Sequence, residues 1–191
     1  MRISEKRETE YSLWARLIFW AQKIKYGQAL LPSKIWGRSP SLLYGVQALY
    51  RAIDRKGSPL DPALRTLLSL RVSHINNCSF CTDIGEAVLK KRGVSMEKVQ
   101  ALTDFESNAA FTESERAALA YTEAVTLSDR RVNDEVFGRL SRYFSPDEIV
   151  EMTAVIGYQN MASKFNAALD VPAQGFCLVA QKKAAGREAA T

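Results

Sequence analysis

Two cysteines three residues apart, Cys78 and Cys81, are the residues of this 191-residue chain best suited to chemistry. A thiol reacts as its thiolate, so a reactive cysteine needs a field that lowers its pKa, and a helix N-terminus supplies one through its free N–H groups and dipole. The run Ile75-Asn76-Asn77-Cys78 reads as the stop of one helix and the start of the next, with Asn77 as N-cap and Cys78 in the first turn. Cys81 then lies one turn deeper on the same face, where the two sulfurs can approach and form a disulfide. Two zinc ligands or two core thiols give the same spacing. A zinc site needs four ligands, and the chain offers only His74 and the distant Cys177 besides, with no second Cys-x-x-Cys. Reversible thiol oxidation is therefore the leading reading, with no cofactor and no metal ion called for.

Several polar residues stand near the pair in sequence. His74 is the only histidine and falls in the last turn of a helix. There it is either a favourable partner of the helix dipole or a group that touches the chemistry, and we carry it as a candidate catalytic residue with Cys81 and Cys78. Asp83 and Glu86 follow Cys81 within two turns, where acidic residues are electrostatically favoured near a helix start without any catalytic task. Farther along, Tyr158, Gln159, Asn160 and Asn166 interrupt an otherwise apolar helix. They either line a pocket or tie that helix to neighbouring backbone, since buried amides must find partners.

The elements that must position these groups are helical. An amphipathic helix is expected from Glu10 to about Tyr26, with Leu13, Leu17, Ile18, Trp20 and Ile24 on one broad apolar face. That face would pack on the body or on a second subunit, or lie on a membrane surface. Ser39-Pro40 opens a second helix that Gly57 ends, and Asp61-Pro62 opens a third running to Ile75, apolar on most sides. The dithiol helix follows and closes at Gly93. A short helix covers Met96 to Leu102. Capping boxes at Thr112 with Glu115 and Ser145 with Glu148 open two more helices, and Asn133 caps a short one between them. The helix after Ser145, running to about Leu169, is apolar on nearly every side and reads as a central core helix. The expectation is an all-α, single-domain bundle of about seven to eight helices: an N-terminal amphipathic helix over 1–31, a helical domain over 32–180, and a disordered tail over 181–191.

Composition narrows the class. A net charge of +5 comes from 26 Lys and Arg against 21 Asp and Glu, and before residue 58 eleven basic residues face four acidic ones. The basic residues are interleaved with apolar ones and form no dense block, so they read as a solvated helix face and no nucleic-acid partner is expected. The longest apolar run, Leu13 to Ala21, contains Arg16, so no segment reaches the roughly 20 apolar residues of a membrane span, and no stable membrane insertion is expected. The first ten residues mix basic and acidic groups unlike a secretory signal, and three cysteines make no disulfide framework, both of which point to a cytoplasmic protein.

The segment Leu70-Arg-Val-Ser-His-Ile-Asn-Asn-Cys-Ser-Phe-Cys81 resembles the alkylhydroperoxidase D-like, or carboxymuconolactone decarboxylase-like, superfamily. Pro32 to Pro40 with Trp36, Phe111 to Tyr121, and Glu148 to Phe176 with its Asn166-Ala-Ala-Leu-Asp-Val-Pro172 are similar to the longer, peroxidase-related branch. The resemblance implies an all-helical homo-oligomer that acts on a hydroperoxide or other small molecule and is recharged by a thiol or dithiol reductant. It also implies roles: Cys81 would attack the peroxide oxygen and become a sulfenic acid, and Cys78 would condense with it to a disulfide. The family's proton relay is a glutamate twelve positions before the first cysteine and a histidine four after the second, and here those positions hold Thr66 and Gly85. A base contribution of roughly 10²- to 10⁴-fold is thereby absent. Two other functions stay open: a non-enzymatic helical scaffold or redox sensor, and a carboxymuconolactone decarboxylase-type lyase, for which no pairing of His and Arg is visible.

Overall fold

The computed structural model describes residues 1–177, and the tail expected over 181–191 lies outside them. Among the described residues the elements are α1 (Leu13–Tyr26), α2 (Leu31–Trp36), α3 (Pro40–Ile53), α4 (Pro62–Ile75), α5 (Ser79–Lys91), α6 (Met96–Gln100), α7 (Glu113–Thr126), α8 (Asp134–Ser141) and α9 (Pro146–Ala168), with no strand. Most of the caps read from the sequence form, although Ser39 at the start of α3 makes no side-chain capping bond. Asp61 accepts from the Leu64 N–H, both capping boxes close, and Asn133 accepts from Val136. The short α2, opened by Pro32, was not anticipated.

α4 takes the centre. Leu67, Leu68, Leu70 and Val72 point to different sides of it, and none is more than 2% exposed, so the helix packs against α5, α7 and α9 at once. α9, read from the sequence as a core helix, packs on α3, α4, α5 and α7. It buries Ile149, Met152, Val155 and Ile156 against α4 and α7, while Val150 and Met161 on its other side are exposed. Glu123 on α7 holds Arg71 of α4 and Arg130 in one largely buried cluster across the α4–α7 seam. The end of α4 is fixed by amides: Asn76 donates to Asn160 at 3.0 Å and to Ser163 at 2.8 Å, and Asn160 donates on to Thr126.

α1 sits with the opposite face inward from the one its large side chains mark. Ala15, Phe19 and Gln22 are buried, whereas Leu13, Trp14, Leu17, Trp20 and Ile24 are all exposed. Small Ala15 permits close approach and Gln22 finds two partners, donating to Ser33 at 2.6 Å and accepting from Leu30 at 3.1 Å. Packing of the large face on the body is thus corrected.

The segment after α9 folds back over the dithiol. Val171 and Phe176 pack on Cys78, Phe80 and Cys81, and Gln174 bonds the backbone of Leu31 and Ala29. A single carboxylate anchors it: Asp83 of α5, itself buried, accepts from the N–H groups of Gln174, Phe176 and Cys177 at 2.8–3.0 Å. Asp83 is therefore engaged by backbone rather than by either thiol. Removing a charged acceptor of three bonds should cost about 2–4 kcal/mol. Asp83→Ala should lower stability by that amount in urea unfolding and expose the chain after Val171 to limited proteolysis.

Candidate functional site

Asn76 ends α4, and Asn77 takes a left-handed backbone angle, φ 52°, a conformation that asparagine tolerates better than most residues. Cys78 is then extended and is itself the N-cap of α5, its sulfur accepting from the Cys81 N–H at 3.2 Å. This corrects the expected register, in which Asn77 was the cap and Cys78 stood inside the helix. Asn77 makes the turn instead, and the cysteine sulfur takes the capping role that an Asn or Ser oxygen usually fills. Cys78 and Cys81 are joined by a disulfide with Cα atoms 5.3 Å apart.

The two sulfurs have different surroundings. Cys78, 2% exposed, lies behind α5 among Phe80, Val171 and Phe176. Cys81 forms part of the wall of a largely apolar cavity of about 410 Å³ enclosed by α1, α2, α3, α4, α5 and α9. The Asn166 amide on α9 donates to the Cys81 sulfur at 3.4 Å, and its Oδ1 is buried without a partner. A disulfide sulfur is a weak acceptor, whereas a thiolate is a strong one, so this amide is oriented for the reduced, charged form of Cys81.

Aromatic side chains shape the rest of the wall. Trp36 stacks on Phe165 with centroids 3.6 Å apart, and Tyr50 and Tyr158 face one another at 6.0 Å. Burial pushes the Tyr158 hydroxyl up to about 12, and its oxygen makes no hydrogen bond among the described residues. Burial also raises Tyr50, with the nearby Tyr26 and Asp54 adding to the shift, and its hydroxyl donates to Asp54 at 3.2 Å. Both phenols are neutral hydrogen-bonding groups across the physiological range.

Of the residues singled out in the sequence, Cys81, Tyr158, Gln159 and Asn166 meet at the cavity, and Asn160 does not, being spent on the α4–α7–α9 junction. Gln159 does both tasks, lining the cavity and donating to Ser73 at 2.9 Å. Thr66 and Gly85, the two relay positions, also line the cavity. Thr66 bonds Arg92, and a Cβ on Gly85 would meet Leu70 Cδ1 at 3.3 Å, so Leu70 fills the space a side chain there would take. Sequence reading missed Tyr50, Arg65 and Arg92. The helical spacing of Cys81, Ile84, Gly85, Val88 and Arg92 carried the signal for the last of these.

The fold and site together define an all-helical chain whose Cys-x-x-Cys pair borders a largely apolar cavity. The chain belongs to the carboxymuconolactone decarboxylase family of the alkylhydroperoxidase D-like superfamily, with residues 40–124 matching the family directly. The protein YnjA of Escherichia coli (strain K12) is 38% identical over 164 residues, which covers 86% of this chain and 90% of YnjA. In structure, a peroxidase-related protein of Ralstonia eutropha JMP134 with an alkylhydroperoxidase AhpD core superposes with a TM-score of 0.83 at 17% identity, covering 93% of this chain and 94% of that one. The debrominase Bmp8, as a variant in complex with 2,3,4-tribromopyrrole, superposes with a TM-score of 0.80 at 21% identity, covering 96% and 97%. These two likenesses establish the fold.

His74 does not line the cavity, and no described side chain hydrogen bond joins it to either sulfur. Burial holds its pKa below the ordinary 6.5, with Arg71 lowering it further and Glu86 opposing. The unfolded chain therefore binds the proton more readily than the folded one. The stability this contributes is complete above the unfolded value near 6.5 and is lost as pH falls through the lower folded value. Between about pH 8 and about pH 5, the wild type should lose more unfolding free energy than His74→Leu, measured by urea denaturation of both.

Proposed function

We propose that the protein is a dithiol oxidoreductase that reduces an organic hydroperoxide, with Cys81 attacking and Cys78 resolving. The observation that carries this reading is the placement of the sulfurs: Cys81 faces a substrate-sized cavity and an amide donor, and Cys78 stands directly behind it. The Cys81 thiolate attacks the distal peroxide oxygen, the O–O bond breaks, and the alkoxide leaves and takes a proton to become the alcohol. The resulting sulfenic acid is attacked by the Cys78 sulfur, the S–S bond forms, and water leaves. A dithiol reductant then returns both electrons.

With Thr66 and Gly85 in place of the relay, stabilisation of the thiolate falls to Asn166 on Cys81 and to the α5 N-terminus on Cys78. A polar donor on the sulfur together with an open cavity supports an enzyme over a scaffold. The absence of any histidine among the described cavity residues gives the lyase reading no support. Sub-stoichiometric cumene hydroperoxide added to the reduced protein should convert Cys78 and Cys81 to the disulfide, counted by mass spectrometry. Thiols left intact while free glutathione is oxidised would leave the scaffold reading standing. Asn166→Leu should retain the fold and slow iodoacetamide alkylation of Cys81 near neutral pH about tenfold, because a hydrogen bond to a charged group is lost.

A second reading draws on the aromatic walls, Trp36, Tyr50, Phe80 and Tyr158. The same dithiol could reduce a brominated aromatic, the C–Br bond giving way to C–H as the disulfide forms and HBr leaves. Release of bromide from tribromopyrrole by the reduced protein separates this from the first reading.

The exposed face of α1 supports assembly with a second copy of the chain. Leu13, Trp14, Leu17, Trp20 and Ile24 form a contiguous apolar stripe of a kind that monomers rarely leave to water. Sedimentation should show an oligomer for the wild type and a smaller species for the Leu17→Glu, Trp20→Glu double variant, with the helical circular dichroism unchanged.

A further inference from the structure

The cavity is not uniform along its length. Cys81, Ile84, Gly85, Val88 and Arg92 all line it, and they form one stripe of α5 at helical spacing. At 1.5 Å per residue, the stripe carries the lumen roughly 16 Å from the dithiol to Arg92. Between those ends the walls are mainly apolar, with Leu70, Ile84, Val88 and Tyr158, interrupted by the short polar side chains of Ser69 and Ser73 and by Gln159. At Gly85 the stripe has no side chain at all.

The far end is cationic. The charged residues lining the cavity are Lys25, Arg51, Arg65 and Arg92 against a single carboxylate, Asp54. Asp54 is shared between Arg92 at 3.3 Å and Arg65 at 3.8 Å, and it also accepts from Tyr50. One carboxylate cannot balance two guanidinium groups, so this partly buried trio carries a surplus positive charge, the next carboxylate near Arg65 being Glu151, which is paired with Arg55. Arg65 is 95% buried, and its Nε has no partner. Arg51, one helical turn before Asp54, makes no hydrogen bond or ion pair among the described residues. With Arg65 buried and Arg92 and Asp54 only partly exposed, an anion that meets this charge lowers its cost.

We infer that the cavity takes an amphipathic monocarboxylate: an acyl chain lies along the α5 stripe, its acid group meets Arg51 and Arg92, and its far end reaches Cys81. Arg51 is exposed to water, so the charge to be met inside the cavity is the single surplus of the Asp54, Arg65 and Arg92 trio, which a monoanion balances and a phosphate monoester, at about −1.5 to −2 near neutral pH, exceeds. The inference deepens the dithiol reading by giving the hydroperoxide a class, a fatty acyl chain oxidised far from its carboxylate. It rests on that reading only for what happens at Cys81.

Calorimetric titration of the reduced full-length protein tests it without turnover, using dodecanoate, dodecanol, dodecyl phosphate and acetate below their micelle concentrations. Dodecanoate should bind at least tenfold more tightly than dodecanol and more tightly than dodecyl phosphate, and acetate should give no heat. Arg92→Gln and the exposed Arg51→Gln should each weaken dodecanoate severalfold and leave dodecanol unchanged. Arg51→Gln keeps the test decisive where loss of the Arg92 contacts disturbs folding. Equal binding of acid and alcohol, tighter binding of the phosphate, or indifference to both substitutions would overturn the inference. Acid-selective binding by a protein whose thiols ignore hydroperoxide sinks the dithiol reading alone. Oxidation of Cys81 and Cys78 with no preference for the acid sinks the ligand class alone.

Discussion

Asn77, in its left-handed conformation, turns the chain out of α4 and directly into α5, and the position of everything chemical depends on that turn. It brings the two helices back to back, with Arg92 at the end of α5 bonded to Pro62 and Thr66 at the start of α4. Because the turn is spent at Asn77, the next residue must cap α5, and that residue is Cys78. Its sulfur takes the helix's first N–H field while Cys81, three residues on, is rotated toward the cavity. A cap with an oxygen side chain would have left one sulfur with no partner of the right reach.

The cavity follows from the same antiparallel pair. α4 is buried on nearly all sides, and its short residues Ser69 and Ser73 line a lumen beside Leu70, which packs toward Gly85 of α5. α9 supplies Tyr158, Gln159 and Asn166 from across the gap, and the segment beyond it is anchored by Asp83, which closes the back of the dithiol. Neighbouring carboxylates and amides on the same helices are thus divided between holding the fold and meeting the Cys81 sulfur. Asp83 serves backbone, Asn160 serves the helix junction, and Asn166 serves the sulfur. Desolvation decides the division: a buried amide or carboxylate goes to whichever unpaired group lies within reach.

The sequence by itself determined most of the helices, α2 excepted, and the Cys-x-x-Cys pair. Capping residues are local signals, so Asp61, Thr112, Asn133 and Ser145 marked helix starts that the fold keeps, and the Cys-x-x-Cys spacing placed two sulfurs within bonding distance. The fold family was legible in the run from Leu70 to Cys81. Tertiary structure alone decided orientation. The large apolar side chains of α1 pointed to burial, yet Ala15, Phe19 and Gln22 go inward, because a buried glutamine with two partners and a small residue pack more closely on α2 and α3. The single histidine drew attention by its chemistry and lies off the cavity, while Tyr50, Arg65 and Arg92, far from the cysteines in sequence or hidden as ordinary helix residues, line it. Which groups share a lumen depends on how helices rotate against one another, and that rotation is set by packing across the whole bundle rather than by any local run of residues.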